Sequence, residues 1–241
     1  MLLWQGRRVR AEVPRLPEPA GEREGVAGDG PPLRLLIVGD SAAAGVGAAT
    51  QAEALSGGLI SALQDAFQVH WKLIATTGHT TANALEDLLA IDAEPYDVII
   101  TSLGVNDVTE QHSLRQWRAA QVALLAMLQS RFEARHIFVC GLPPMHRFPA
   151  LPQPLRWYIG ARAKQFDSAL QALAEATPRC EFVPLNFFNG IGTEAMASDG
   201  FHPGPAIYRQ WADEIARRIK AQRQLVLATL RQSAVGNIAD A

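Results

Sequence analysis

Four short segments of this 241-residue chain bear side chains able to do chemistry: Gly39-Asp40-Ser41, Gly78-His79, Gly104-Val105-Asn106-Asp107 and Asp199-Gly200-Phe201-His202. A serine hydroxyl becomes a nucleophile at neutral pH only beside a base, and the base needs a group that fixes its tautomer. Asp199 stands three residues before His202 on a glycine-containing turn. Its carboxylate can reach Nδ1–H and leave Nε2 free for Ser41. Charge developing on an attacked carbonyl oxygen requires preorganised donors, and losing one costs roughly 3–4 kcal/mol in the barrier. The Asn106 side-chain amide is such a donor, and Gly78 can present an unobstructed backbone N–H.

Each segment also has a plain structural reading. Ser41 alone is an N-cap serine in a Gly-rich turn, and DGFHP alone is a capped turn with an incidental histidine. Asn106 can merely brace a turn and Gly78 merely permit one. What separates the readings is the position of the segments along the fold. Residues 33–38 (LRLLIV) form a continuous apolar run ending at Gly39, the pattern of a strand buried on both faces. Similar runs are VHWKLIA, DVIITSLG, HIFVCG and EFVPL. Between them lie helical stripes: Leu55, Leu59, Leu63 and Phe67; Leu85, Leu88 and Leu89, capped by Thr80; Leu114, Trp117, Leu124 and Leu128; Leu155, Ile159, Phe166 and Leu170; and finally Ile207, Trp211, Ile215 and Ile219. Alternating strands and helices predict one three-layer α/β/α sandwich around a five-stranded parallel sheet. Ligands of such sheets sit beyond the carboxyl ends of the strands. Ser41, Gly78 and Asn106 each follow a predicted strand, and His202 precedes the last helix.

Residues 1–32 read as a lead-in, with a Pro-, Gly- and Glu-rich extended stretch over 11–32; the domain spans 33–232, and 233–241 form a tail. The formal charge of −2 gives no pull towards nucleic acid. Cys140 and Cys180 sit in apolar runs and make no disulfide framework. No stretch approaches the ~20 apolar residues of a membrane span. The order of MLLW before GRRVR is wrong for a signal peptide, so a cytoplasmic location is expected, with at most a loose membrane contact by this terminus.

Rival chemistries use the same loops. Asp40, Asp107 and Asp199 could hold Mg²⁺ for phosphoryl transfer, which leaves Asn106 and His202 without a task. GVGAAT approaches a phosphate loop but lacks the third glycine and any GK[ST], and the G-x-S-x-G elbow is absent. A non-catalytic binding module on the same fold is the remaining alternative. Asp40 and Asp107 are expected to hold their loops by hydrogen bonds.

Taken together, IVGDSAAAG, Gly78, GVND and DGFHP resemble the signature blocks of the SGNH (GDSL-type) serine hydrolases, from Leu33 to the final helix. Ala42 departs from the larger aliphatic residue many members carry after the serine. The resemblance implies a flavodoxin-like fold and an esterase, lipase or acyl-thioesterase activity. Ser41, His202 and Asp199 would form the triad, and Ser41 N–H, Gly78 N–H and the Asn106 amide the oxyanion hole. Neither metal nor organic cofactor is implied, and the partner is a small acyl ester. After the fourth strand, Leu142, Met145, Phe148 and Trp157 are candidate walls for an acyl group, with His79 beside Gly78. Their apolar character favours acyl esters, thioesters or lysophospholipids over acetylated sugars.

Overall fold

The computed structural model describes residues 1–185 and 192–239. Strands β2 (Pro32–Gly39), β3 (Gln68–Ala75), β4 (Val98–Ser102), β5 (His136–Cys140) and β6 (Cys180–Val183) are parallel, and a short β1 (Glu24–Ala27) pairs antiparallel with β3. The sheet order is β1-β3-β2-β4-β5-β6. Counting only the parallel strands in chain order, this is second-first-third-fourth-fifth, the flavodoxin-like arrangement.

The expected five strands are therefore six. The extra one comes from residues assigned to the extended lead-in, because Glu24–Ala27 has no apolar run to announce it and is exposed along most of its length. Upstream, Leu2–Glu12 forms helix α1, which docks through buried Gln5: its Nε2 donates to Gln153 O at 2.7 Å. At the other end the last helix, α8 (Pro205–Ala239), runs through the expected tail, of which 240–241 lie outside the described residues.

Alternate residues of the central strands face opposite layers, as the pleat requires. Leu36, Val38, Ile99 and Ile137 pack with α4 (Thr81–Ala90), α6 (Leu114–Ser130) and α7 (Leu155–Ala176), while Leu35, Ile37, Ile100 and Phe138 pack with α3 (Leu55–Leu63) and α8. Trp117 and Phe166 lock the first layer, with ring centroids 4.5 Å apart, and Tyr208 with Trp211 fills the second. Among the described residues no helix is long and apolar enough to cross a membrane.

The strand register brings three loops to one place. Gly39 is level with Ala75 on one side and with Ser102 on the other, so the chain leaves β2, β3 and β4 at one common edge. Gly39 is required there by space: a Cβ would lie 2.4 Å from the Ala43 Cβ and 2.6 Å from the Ser102 carbonyl oxygen. Both neighbours are fixed, one in helix α2 (Ser41–Ala44) and the other in the backbone at the end of β4. Gly39→Ala is expected to destabilise the protein by about 1–3 kcal/mol, the usual cost of overpacking, read as a lowered Tm. An unchanged Tm would mean the β2–α2 turn relaxes freely.

Candidate active site

Ser41 is the first residue of α2, and Asp40 is its N-cap: an Asp40 carboxylate oxygen accepts the Ala42 N–H at 3.0 Å. Gly45 then ends the four-residue helix with φ +93°. A helix this short, held at both ends, fixes where the serine points; Ser41 is 8 % exposed.

The histidine arrives from the opposite end of the chain. Asp199 Oδ1 accepts the N–H groups of Phe201 and His202 at 2.9 and 3.0 Å, closing a tight turn in which Gly200 has φ +64°. Asp199 Oδ2 lies 2.5 Å from His202 Nδ1, and His202 Nε2 lies 2.9 Å from Ser41 Oγ. With Asp199 ionised, Nδ1–H donates to the carboxylate, so the neutral ring's Nε2 accepts from the serine hydroxyl. Burial pushes Asp199 up, but the bonds from the His202 ring and from two backbone N–H groups outweigh it and hold the carboxyl below its ordinary value.

Two further loops complete the edge. After β3, Gly78 takes φ +86°; no atom would obstruct a Cβ there, so glycine is required by the backbone angle alone. After β4, Gly104 at φ +128° starts helix α5 (Val105–Thr109), and Asn106 Nδ2 donates to the His79 carbonyl at 2.8 Å. One Asn106 N–H remains for a ligand. Asp107, 1 % exposed, accepts both the N–H and the hydroxyl of Thr81 at 3.0 Å, and Gln121 donates to that hydroxyl. The Gly78 and Asn106 loops are thus tied together twice.

A third tie was invisible in the sequence. Glu18, within the lead-in, accepts the Thr77 N–H and hydroxyl at 2.7 Å each, while Arg23 pairs with Glu18 and donates to the Ala75 carbonyl. A lone Glu in a Pro-rich stretch carries no periodic or motif signal, so only the tertiary contact reveals it.

The other expected site residues scatter. Phe148 lines the cleft at Ser41, together with Val105, Phe201 and Trp211. Leu142 and Trp157 line a neighbouring groove, and Met145 is wholly buried in the core and faces neither space. The His79 ring turns to Asp87, with Nδ1 2.9 Å from Oδ2 at an angle that makes an ion-pair contact and not a hydrogen bond. His70, His112 and His136 pair with Gln68, Asp107 and Gln222. Asp40, Asp107 and Asp199, the acids of the metal alternative, are each committed to a different partner. Among the described residues no three His, Cys, Asp or Glu side chains come close enough to hold a metal ion.

The profile of the GDSL-like lipase/acylhydrolase family matches residues 37–210, which includes all four loops. The chain belongs to this family. This GDSL-like acylhydrolase is accordingly a carboxylic ester hydrolase. No curated protein sequence matches it significantly. Its fold is shared with the carbohydrate acetylesterase Est24 of Sinorhizobium meliloti (20 % identity, 79 % of this chain and 99 % of that one, TM-score 0.62). It is also shared with the acetylxylan esterase Axe2 of Geobacillus stearothermophilus (19 %, 79 % and 95 %, 0.59). A third is the lipase Lip_vut3 from a goat rumen metagenome (18 %, 76 % and 95 %, 0.61).

Asp40 differs from Asp199 although both are buried. Burial pushes the Asp40 carboxyl up to about 7 and the Asp107 charge adds to this, against the Ala42 N–H and the attraction of His202. A raised carboxyl binds a proton in the native state that the unfolded chain releases from about pH 4. Its contribution to stability is therefore lost as pH rises from about 4 to about 7. Asp40→Asn, which keeps an oxygen for the Ala42 N–H, should remove that decline. The Tm of the variant relative to the unsubstituted protein should rise steadily across this window. A constant difference would show that Asp40 is ionised throughout.

Proposed function

We propose that the protein hydrolyses esters through an acyl-enzyme on Ser41. His202 Nε2 takes the hydroxyl proton as Oγ attacks the ester carbonyl carbon, and Asp199 holds the ring and stabilises the imidazolium. The tetrahedral oxyanion is met by the N–H groups of Ser41 and Gly78 and by the free Asn106 N–H. The bond from carbon to the alcohol oxygen then breaks, and His202 delivers the proton to the departing alcohol. Water attacks the acyl-serine next, passing its proton to His202. The carboxylic acid leaves as Ser41 recovers that proton.

The observation that carries this reading is one imidazole spanning Asp199 and Ser41, at 2.5 and 2.9 Å, across 161 residues of sequence. Three features support the oxyanion assignment. Ser41 N–H lies at a helix start, where N–H groups are free of intrahelical bonds. Gly78 is exposed with its backbone held by the neighbouring Glu18–Thr77 bonds, and Asn106 is held by His79 with one hydrogen to spare. The family name and the fold neighbours, two of them acetylesterases and one a lipase, agree with ester hydrolysis and leave the acyl length open.

Ser41→Ala is expected to abolish hydrolysis of p-nitrophenyl acetate while Tm changes little. Activity retained in full would overturn the serine mechanism. Asn106→Ala should lower kcat by about 10²–10³; an unchanged kcat would remove Asn106 from the oxyanion hole.

A further inference from the structure

The space beside Ser41 is divided into two compartments of very different size. The cleft at Ser41 and His202, walled by Val105, Phe148, Phe201 and Trp211, holds about 30 Å³. A water-sized probe occupies about 10–15 Å³. Beyond the carbonyl, the cleft therefore admits a methyl or ethyl group and no longer chain. Its walls are set by the core: Phe148 and Trp211 are buried, and Phe148 meets Phe201 edge to face at 5.1 Å. Well-packed side chains of this kind do not give way cheaply.

A groove of about 500 Å³ adjoins this cleft, separated from it only by Pro143 and Leu185. That is an ordinary size for a small-molecule site. It runs along α7, where Trp157, Gly160, Ala161 and Lys164 fall on one helical face. Its floor is bare: a Cβ on Gly160 would stand 2.5 Å from that of His146. Trp157 is 68 % exposed, whereas Trp117 and Trp211 are 1 % exposed. At the rim, Lys164 makes no hydrogen bond or ion pair among the described residues, and Asp167 uses one carboxylate oxygen on the Leu142 N–H at 2.8 Å.

We infer that the narrow cleft takes a two- or three-carbon acyl group and that the groove takes the alcohol half of the ester, a hydroxylated ring stacked on Trp157. This rests on the proposed Ser41 mechanism. The assignment of halves follows from the order of steps. The acyl group stays on Ser41 while alcohol leaves and water enters, so the departing half occupies the open compartment. The choice of alcohol follows from the lining. An alkyl chain laid in the groove would strip water from Lys164 and Asp167 without replacing its hydrogen bonds. Ring hydroxyls replace those bonds, and the ring face covers the exposed indole. The apolar loop residues that favoured a long acyl chain, Leu142 and Met145, lie instead in the groove wall and in the core.

The test compares kcat/KM of the unsubstituted enzyme on acetate, butyrate and octanoate esters of one alcohol. Acetate is expected to exceed octanoate at least tenfold; equal or greater activity on octanoate overturns the acyl assignment. For the alcohol half, a mono-acetylated methyl glycoside is compared with methyl acetate. Trp157→Ala should lower the ratio of their kcat/KM values about fivefold, as loss of a ring stack implies, and Lys164→Ala should lower it in the same direction. A ratio unmoved by Trp157→Ala overturns the groove assignment. Ser41→Ala separates the two levels. If it is inactive on every ester while octanoate is preferred, only this inference fails; if it remains active, the mechanism beneath it fails.

Discussion

Gly39 is level with Ala75 in one neighbouring strand and with Ser102 in the other, and this alignment of three strand ends is the constraint on which the site depends. Parallel strands deliver their carboxyl ends to one edge, but a shift of a single residue would move each loop by about 3.3 Å and reverse its faces. Catalytic hydrogen bonds tolerate far less than that. The Ser41, Gly78 and Asn106 loops converge because buried side chains on both faces, such as Leu35, Leu36, Ile37 and Val38, allow one register only. Gly39 is the point where the backbones come closest, which is why a side chain has no room there.

Loops placed by a sheet still need to be held. The structure does so with carboxylates acting on backbone N–H groups: Asp40 on Ala42, Asp107 on Thr81, Asp199 on Phe201 and His202, and Glu18 on Thr77. The same group type serves two electrostatic ends. Asp199 has a histidine and two N–H groups and stays ionised; Asp40 has one N–H group in a drier setting and is pushed up to about 7. Environment, and not residue identity, divides their roles.

The N-terminal stretch shows how support can come from far outside a motif. Glu18 and Arg23 brace the loop carrying Gly78, and buried Gln51 donates to the carbonyls of Ala44 and Pro19, linking the end of α2 to the lead-in. Residues 18–27 are therefore part of the hydrolase fold although they precede its first central strand. With these ties in place the serine cleft is narrow and rigid, and substrate variety is left to the open groove along α7.

The sequence by itself determined the layered α/β plan, the four loops and the identity of the residues in them. Period-2 and period-3.6 apolar patterns are local, and so are the Asp199–His202 spacing and the glycines that need positive φ. Only the tertiary structure decided how far the loops reach each other, that an exposed edge strand joins the sheet, and that Glu18 reaches Thr77. It also separated Phe148, Leu142, Met145 and Trp157, adjacent in sequence and equally apolar, into a cleft wall, groove walls and core. Those outcomes depend on which face each residue turns inward after a run of prolines and short turns. No periodic pattern survives there to record the answer.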